Sequence, residues 1–121
     1  MKKILIAEDD VFLNKIYKVK LRSKNYDTVH VYKGDEIIPE VESSKPDLII
    51  LDVIMPGKDG FAVLKELKER QDTKNIPVIV LTNLSEESDK AILLAMGAKR
   101  FMTKVNVSFS EVIEAISQEL G

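Results

Sequence analysis

The sequence puts carboxylates at Glu8, Asp9, Asp10 and Asp52, a hydroxyl and an amide at Thr82 and Asn83, and an ammonium at Lys104, each at the end of a short apolar run. Carboxylates brought together repel one another, and a hard divalent cation with oxygen ligands relieves that repulsion. Magnesium is the natural candidate: it retains several waters and needs only one or two carboxylates, which leaves positions for phosphate oxygens. A threonine hydroxyl beside such a site donates to a phosphoryl oxygen, and a lysine neutralises another. Asp52 is then free to be the nucleophile, a role carboxylates take in phosphoryl transfer. The segment LIILDVIMPGKDG, residues 48–60, fits that chemistry. A buried strand holds a weak nucleophile rigidly, and the turn at Pro56 and Gly57 is expected to give backbone room for a metal and a phosphoryl donor.

These residues meet only if the elements that carry them end on one rim. Apolar runs at 2–7, 28–32, 47–51, 77–81 and 100–103 read as five strands. Three of them are almost wholly apolar, as burial on both faces requires. Between the strands, Leu13, Ile16, Tyr17 and Leu21 share one helical face, as do Phe61, Leu64 and Leu67, and later Ile113, Ile116 and Leu120. Ser108 followed by Glu111 is a capping box, with Val107 and Val112 spaced as its hydrophobic staple. Gly97 is predicted to end the fourth helix. Pro39 falls early in the second helical stretch, where a missing amide donor costs least, and makes that helix short or irregular. Strands alternating with helices, through crossovers too long for hairpins, predict a doubly wound α/β domain: a five-stranded parallel sheet with helices on both faces. Ligands of such sheets bind beyond the carboxyl ends of the strands, where the polar residues fall.

Composition narrows the function classes. A chain of 121 residues is one domain's worth, able to bury a core without disulfides or structural metal. With no cysteine, thiolate metal sites and thiol nucleophiles are excluded, and a reducing, cytoplasmic setting is expected. Acids interrupt the N-terminal run MKKILIAEDD well before signal-peptide or membrane-span length. A net charge of −2 with interleaved signs leaves no footprint for nucleic acid or a membrane surface. A nucleotide or flavin binder of this fold would cradle phosphate after the first strand, and Glu8, Asp9 and Asp10 would repel it. His30, within the second strand, reads as structural and is given no role.

The acidic pair after the first strand, LD with MPGKDG after the third, LTN after the fourth and FMTK at the fifth together resemble the receiver domain of bacterial two-component response regulators, over the whole chain. The resemblance implies a flavodoxin-like, receiver-type architecture and a single receiver domain over residues 1–121 without an effector domain. It implies Asp52 as phosphoacceptor, Asp9 and Asp52 as direct Mg2+ ligands, the Ile54 backbone carbonyl as a further ligand and Glu8 acting through water. Lys104 would partner the phosphoryl group, and Thr82 with Phe101 would form the switch pair. The phosphoryl group would come from a sensor histidine kinase, a phosphotransfer protein or a small phosphodonor. The phosphorylated form would act on a downstream protein or form a homodimer through the fourth helix, fifth strand and fifth helix. The chain's own chemistry would be limited to its self-phosphorylation and self-dephosphorylation.

Two positions depart from the family pattern: Val105 stands where proline usually follows the lysine, and Asn83 is bulkier than the usual residue after the threonine. A cis bond before a non-proline residue costs about 3–4 kcal/mol, so the 104–105 peptide is expected to be trans. Two rival classes remain. An aspartyl-phosphate phosphohydrolase would carry a second aspartate two residues after the nucleophile, where Ile54 stands, and a degenerate receiver acting only as a binding module would not need the intact Asp, Thr and Lys set. Lys15, Lys18, Arg22 and Lys24 read as the solvated face of the first helix, with kinase docking the alternative. The run AILLAM, residues 91–96, offers an apolar output surface on the fourth helix, to be tested at Leu93, with a deeply packed helix as the alternative reading.

Overall fold

The computed structural model describes all 121 residues. Strands β1 (Lys3–Ala7), β2 (Asp27–Val31), β3 (Leu48–Leu51), β4 (Val78–Thr82) and β5 (Arg100–Thr103) alternate with helices α1 (Val11–Ser23), α2 (Ile37–Ser44), α3 (Gly60–Glu69), α4 (Glu87–Ala95) and α5 (Phe109–Leu120). The strands form one parallel sheet in the order β2-β1-β3-β4-β5. The order reverses between β1 and β3, so the crevice for a ligand opens above the ends of those two strands.

Alternation along the strands sends successive side chains to opposite faces. Leu5, Ala7, Ile49, Leu51, Val78 and Val80 pack with α2, α3 and Leu93 of α4. Ile4, Ile6, Leu48, Ile50, Ile79 and Leu81 pack with Tyr17 and Leu21 of α1 and with Val112, Ala115 and Ile116 of α5. The predicted strands and faces are present, with ends moved by a residue: Thr82 is the last residue of β4 rather than the first beyond it.

Local signals act where the sequence puts them. Ser108 Oγ accepts from the Glu111 N–H at 3.1 Å while the Glu111 carboxylate accepts from the Ser108 N–H at 3.0 Å, so the α5 capping box is closed. Gly97 takes a φ of +114° just past α4. Pro39 is the third residue of the short α2, which a 3₁₀ turn, Gly34–Glu36, precedes. All peptide bonds are trans, the Lys104–Val105 bond included. No helix is long and apolar enough to cross a membrane.

Leu93 does not occupy the surface expected of it. Its exposure is 0%, whereas Ile92 is 48% and Leu94 39% exposed. The apolar run had left the rotation of α4 open, and packing against the sheet turns Leu93 inward.

Candidate phosphoacceptor site

The site is assembled from backbone anchors outward. Glu8 remains tied to the sheet beyond β1 because its N–H donates to the Val31 carbonyl at 3.1 Å. Its Oε2 accepts from the Asp10 N–H at 3.0 Å, and Asp10 Oδ1 in turn accepts from the Leu13 N–H at 3.1 Å. Asp10 is thereby the N-cap of α1, and Asp9 between the two is left exposed at the rim. Asp52 follows β3, its N–H donating to the Ala7 carbonyl at 3.1 Å.

Asp52 is 4% exposed and fully engaged. Its Oδ1 accepts from the Thr82 hydroxyl at 2.8 Å and from the Ile54 N–H at 2.9 Å, and its Oδ2 accepts from Lys104 Nζ at 2.5 Å. Lys104 Nζ also pairs with Glu8 Oε1, an ion pair that sequence reasoning missed because nothing local signals it. One carboxylate oxygen from each of Glu8, Asp9 and Asp52 lies within 4.8 Å of the others. Three carboxylates against one ammonium leave surplus negative charge in an all-oxygen donor set, the chemistry that suits a hard divalent cation.

Burial pushes the Glu8 carboxyl above the usual range; the hydrogen bonds from Lys104 and the Asp10 amide oppose that rise, and the charge of Asp52 adds to it. Burial also works against the Lys104 ammonium, but its hydrogen bonds to Asp52 and Glu8 outweigh it and the pKa rises. The lysine therefore stays charged and is shared between two acids.

The remaining predicted residues ring this centre. Ile54 belongs to the loop after β3, its side chain 52% exposed and its backbone at the rim. Phe101 pairs in register with Val80, so Thr82, two residues on, faces the same side of the sheet as Phe101. The Phe101 ring is half-buried against the α2–α4 layer, with Lys90 Nζ 6.0 Å from its centroid. Asn83 and Val105 are exposed beside Thr82 and Lys104.

The turn at Gly57 is closely packed on one side. Gly57 has a φ of +89°, and a Cβ there would lie 2.1 Å from the Asp35 carboxylate. The neighbouring Gly34 N–H donates to the Pro56 carbonyl at 2.9 Å. The loop after β2 thus braces the Gly57 side of the turn, while Asp9, Ile54, Met55 and Pro56 line an open cleft on its other side.

Sequence reasoning also passed over Asn14, which is fully buried under the acidic turn. The signal was present: residues 14, 17 and 21 follow the same spacing, and Asn14 falls in line with Tyr17 and Leu21 on the buried stripe.

Fold and site together define a class: doubly wound α/β domains whose strand ends gather carboxylates, a hydroxyl and an ammonium around one buried aspartate. Within it, the chain belongs to the response regulator receiver domain family, whose model matches residues 4–117. It is 39% identical over 103 residues to the alkaline phosphatase synthesis transcriptional regulatory protein PhoP of Bacillus subtilis, covering 85% of this chain and 42% of that protein. The chain thus spans well under half the length of that relative. Among solved structures it is similar to the signal receiver domain of a signal transduction histidine kinase from Syntrophus aciditrophicus, with a TM-score of 0.88 and 36% identity, covering 98% of this chain and 89% of that one. It is also similar to the Mn2+-bound form of the response regulator Rcp1, with a TM-score of 0.82 and 26% identity over 96% of this chain and 89% of that one. Receiver domains serve phosphorylation-dependent signalling in two-component systems, and the phosphohydrolase alternative is not favoured.

Proposed function

We propose that Asp52 is the phosphoacceptor of this receiver domain. The observation that carries the reading is its geometry: a buried strand-end carboxylate fixed by Thr82, Ile54 and Lys104 and bordered by Glu8 and Asp9. A carboxylate oxygen of Asp52 attacks phosphorus, the phosphorus–nitrogen bond of a phosphohistidine or the phosphorus–oxygen bond of a small phosphodonor breaks, and the electron pair leaves with the donor. The product is an acyl phosphate on Asp52.

Asp9, Asp52 and the Ile54 carbonyl would hold Mg2+ directly, and Glu8 through water. The bound cation would neutralise charge on the phosphoryl oxygens. Lys104, kept charged by its acidic neighbours, supplies a second neutralising group, and the Thr82 hydroxyl, now donating to Asp52, supplies a donor for a phosphoryl oxygen. When Thr82 turns to that oxygen it vacates space on the side of the sheet where Phe101 lies, and Phe101 turns inward to fill it. This couples Asp52 to the face formed by α4, β5 and α5, where a downstream protein or a second copy would bind. The donor would be a cytoplasmic sensor histidine kinase or phosphotransfer protein. The exposed Ile92 and Leu94, not the buried Leu93, are the α4 positions through which that face is tested.

Intact-mass measurement after incubation with acetyl phosphate and Mg2+ tests the assignment. One phosphoryl adduct is expected on the parent chain and none on Asp52→Asn. An undiminished adduct in that variant sinks the assignment, continuous release of phosphate without an adduct indicates a hydrolase, and no reaction of either chain indicates a binding module.

A further inference from the structure

Asn14 presents an energetic problem with a specific solution. Its side chain is 0% exposed within α1, and a buried amide destabilises the fold unless its donors and its acceptor are all used. Nδ2 donates to the Glu8 carbonyl at 2.9 Å and to the Val31 carbonyl at 3.3 Å. Oδ1 meets Nδ1 of His30. The opposite amide orientation would set an oxygen against two carbonyls, so Nδ2 is fixed as the donor to the backbone and Oδ1 as the acceptor.

The remaining proton positions follow in turn. Because Oδ1 only accepts, His30 carries its proton on Nδ1, and in the neutral ring Nε2 is an acceptor. Nε2 lies 2.9 Å from the Thr28 hydroxyl, which donates to it, and Thr28 Oγ1 accepts from Arg22 Nε at 3.3 Å. Every donor therefore points the same way, from Arg22 at the surface through Thr28, His30 and Asn14 to the carbonyl of Glu8. Burial, together with the charges of Lys18 and Arg22, pushes His30 down to about 4, which keeps the ring neutral and this order intact near neutral pH.

The chain of bonds ends on the first residue of the acidic turn. The Glu8 N–H is held by Val31 and its C=O by Asn14, so both polar groups of its backbone are fixed before its side chain meets Lys104 and Asp10. We propose that Asn14, oriented by His30, is a positioning residue that holds the turn carrying Glu8 and Asp9 in its cation-binding arrangement. The proposal rests on the reading of Glu8 and Asp9 as cation-binding residues. Its distinct content is that a helix amide and a strand histidine, neither touching the cation, set the affinity.

Mg2+ titration by calorimetry on the folded chain, well below its melting temperature, tests this. Outer partners of metal ligands typically change affinity by about 10- to 100-fold. Asn14→Leu and His30→Leu are each expected to weaken Mg2+ binding at least about tenfold. His30→Asn, whose amide nitrogen falls where the ring Nδ1 sits, is expected to stay within about twofold of the parent, well inside that range. In phosphorylation by acetyl phosphate, Asn14→Leu should raise the Mg2+ concentration required and leave the rate at saturating Mg2+ unchanged, a split that general loosening of the fold would not produce. Parent-like Mg2+ affinity in both leucine variants overturns the positioning role alone. Absence of Mg2+ binding by the parent overturns the cation reading and the proposal with it. Should Asn14→Leu fail to fold, His30→Leu carries the test. Nitrogen NMR of the only histidine in the chain gives a second one: the proton is expected on Nδ1 near neutral pH, and its presence on Nε2 instead overturns the relay.

Discussion

α4 and α5 lie on opposite faces of the sheet at its β5 side, and they are anchored very differently. α5 buries Val112, Ala115 and Ile116 and begins in a closed capping box. α4 buries Leu93 alone, and its first turn has no side-chain cap. The strand between them is itself a margin, since every residue of β5 is half-buried whereas β3 and β4 are buried at every residue. The half of the site that holds Asp52 is therefore built on rigid elements, and the half that would read out its state is built on the most lightly held helix. Elements that move are drawn from the low-stability end of a fold, which is where α4 lies.

The largest effect that could break this comparison comes from Leu93. Leu93→Ala is expected to cost about 2–5 kcal/mol, the range for emptying a buried leucine site. Leu94→Ala on the exposed side should stay within about 0.5 kcal/mol. Hydrogen exchange after Leu93→Ala should accelerate first at residues 87–95 and leave α5 protected. Equal acceleration in both helices would mean that α4 and α5 are one cooperative unit.

Mg2+ should act on the other half. At a hundred times its dissociation constant it is expected to add about 2.7 kcal/mol of stability, provided the unfolded chain does not bind it. Asp9→Asn should lose most of that gain, as measured by thermal melting with and without the cation. Identical melting temperatures in the parent chain would contradict the cation-binding reading of the acidic cluster.

His30 gives a smaller effect at the far edge of the sheet. Its folded pKa of about 4 lies below the ordinary 6.5, so between those values the unfolded chain binds the extra proton. Stability supplied by the neutral ring is therefore full above about pH 6.5 and is lost as pH falls toward 4. The slope is at most about 1.4 kcal/mol per pH unit for one proton. Denaturant melts between pH 5 and 6.5 should show that slope in the parent and lack it in His30→Asn, with α4 no more affected than the rest of the chain.

The smallest effect sharpens the contrast in capping. Ser108→Ala removes the α5 cap and should cost about 1 kcal/mol by denaturant melts. The corresponding change at Glu86, which makes no capping bond, should be near neutral.

Much of this was legible in the sequence. The strand-end acids, Thr82 and Lys104 are chemically distinct residues at the ends of apolar runs; those runs and the helical patterns between them gave the strands and the parallel sheet, and Ser108 with Glu111 gave the capped start of α5. Less legible were the residues whose meaning depends on what another segment brings to them. Gly57 read as a turn residue, and nothing local showed that Asp35 would pack against it. Leu93 read as surface because a run of six apolar residues has no preferred inward side. Asn14 was hidden among the leucines of its stripe.

The sequence by itself determined the element types, their order and the inventory of polar groups at the strand ends, because these follow from local periodicity and residue chemistry. The tertiary structure alone decided that Lys104 is shared between Asp52 and Glu8, that α4 turns Leu93 inward, and that Asn14 and His30 join α1 and β2 beneath the acidic turn. Those outcomes depend on strand order and on the rotation of each helix about its axis. Both are fixed only when the whole sheet is packed, since a buried polar group must then find its partner among residues distant in the chain.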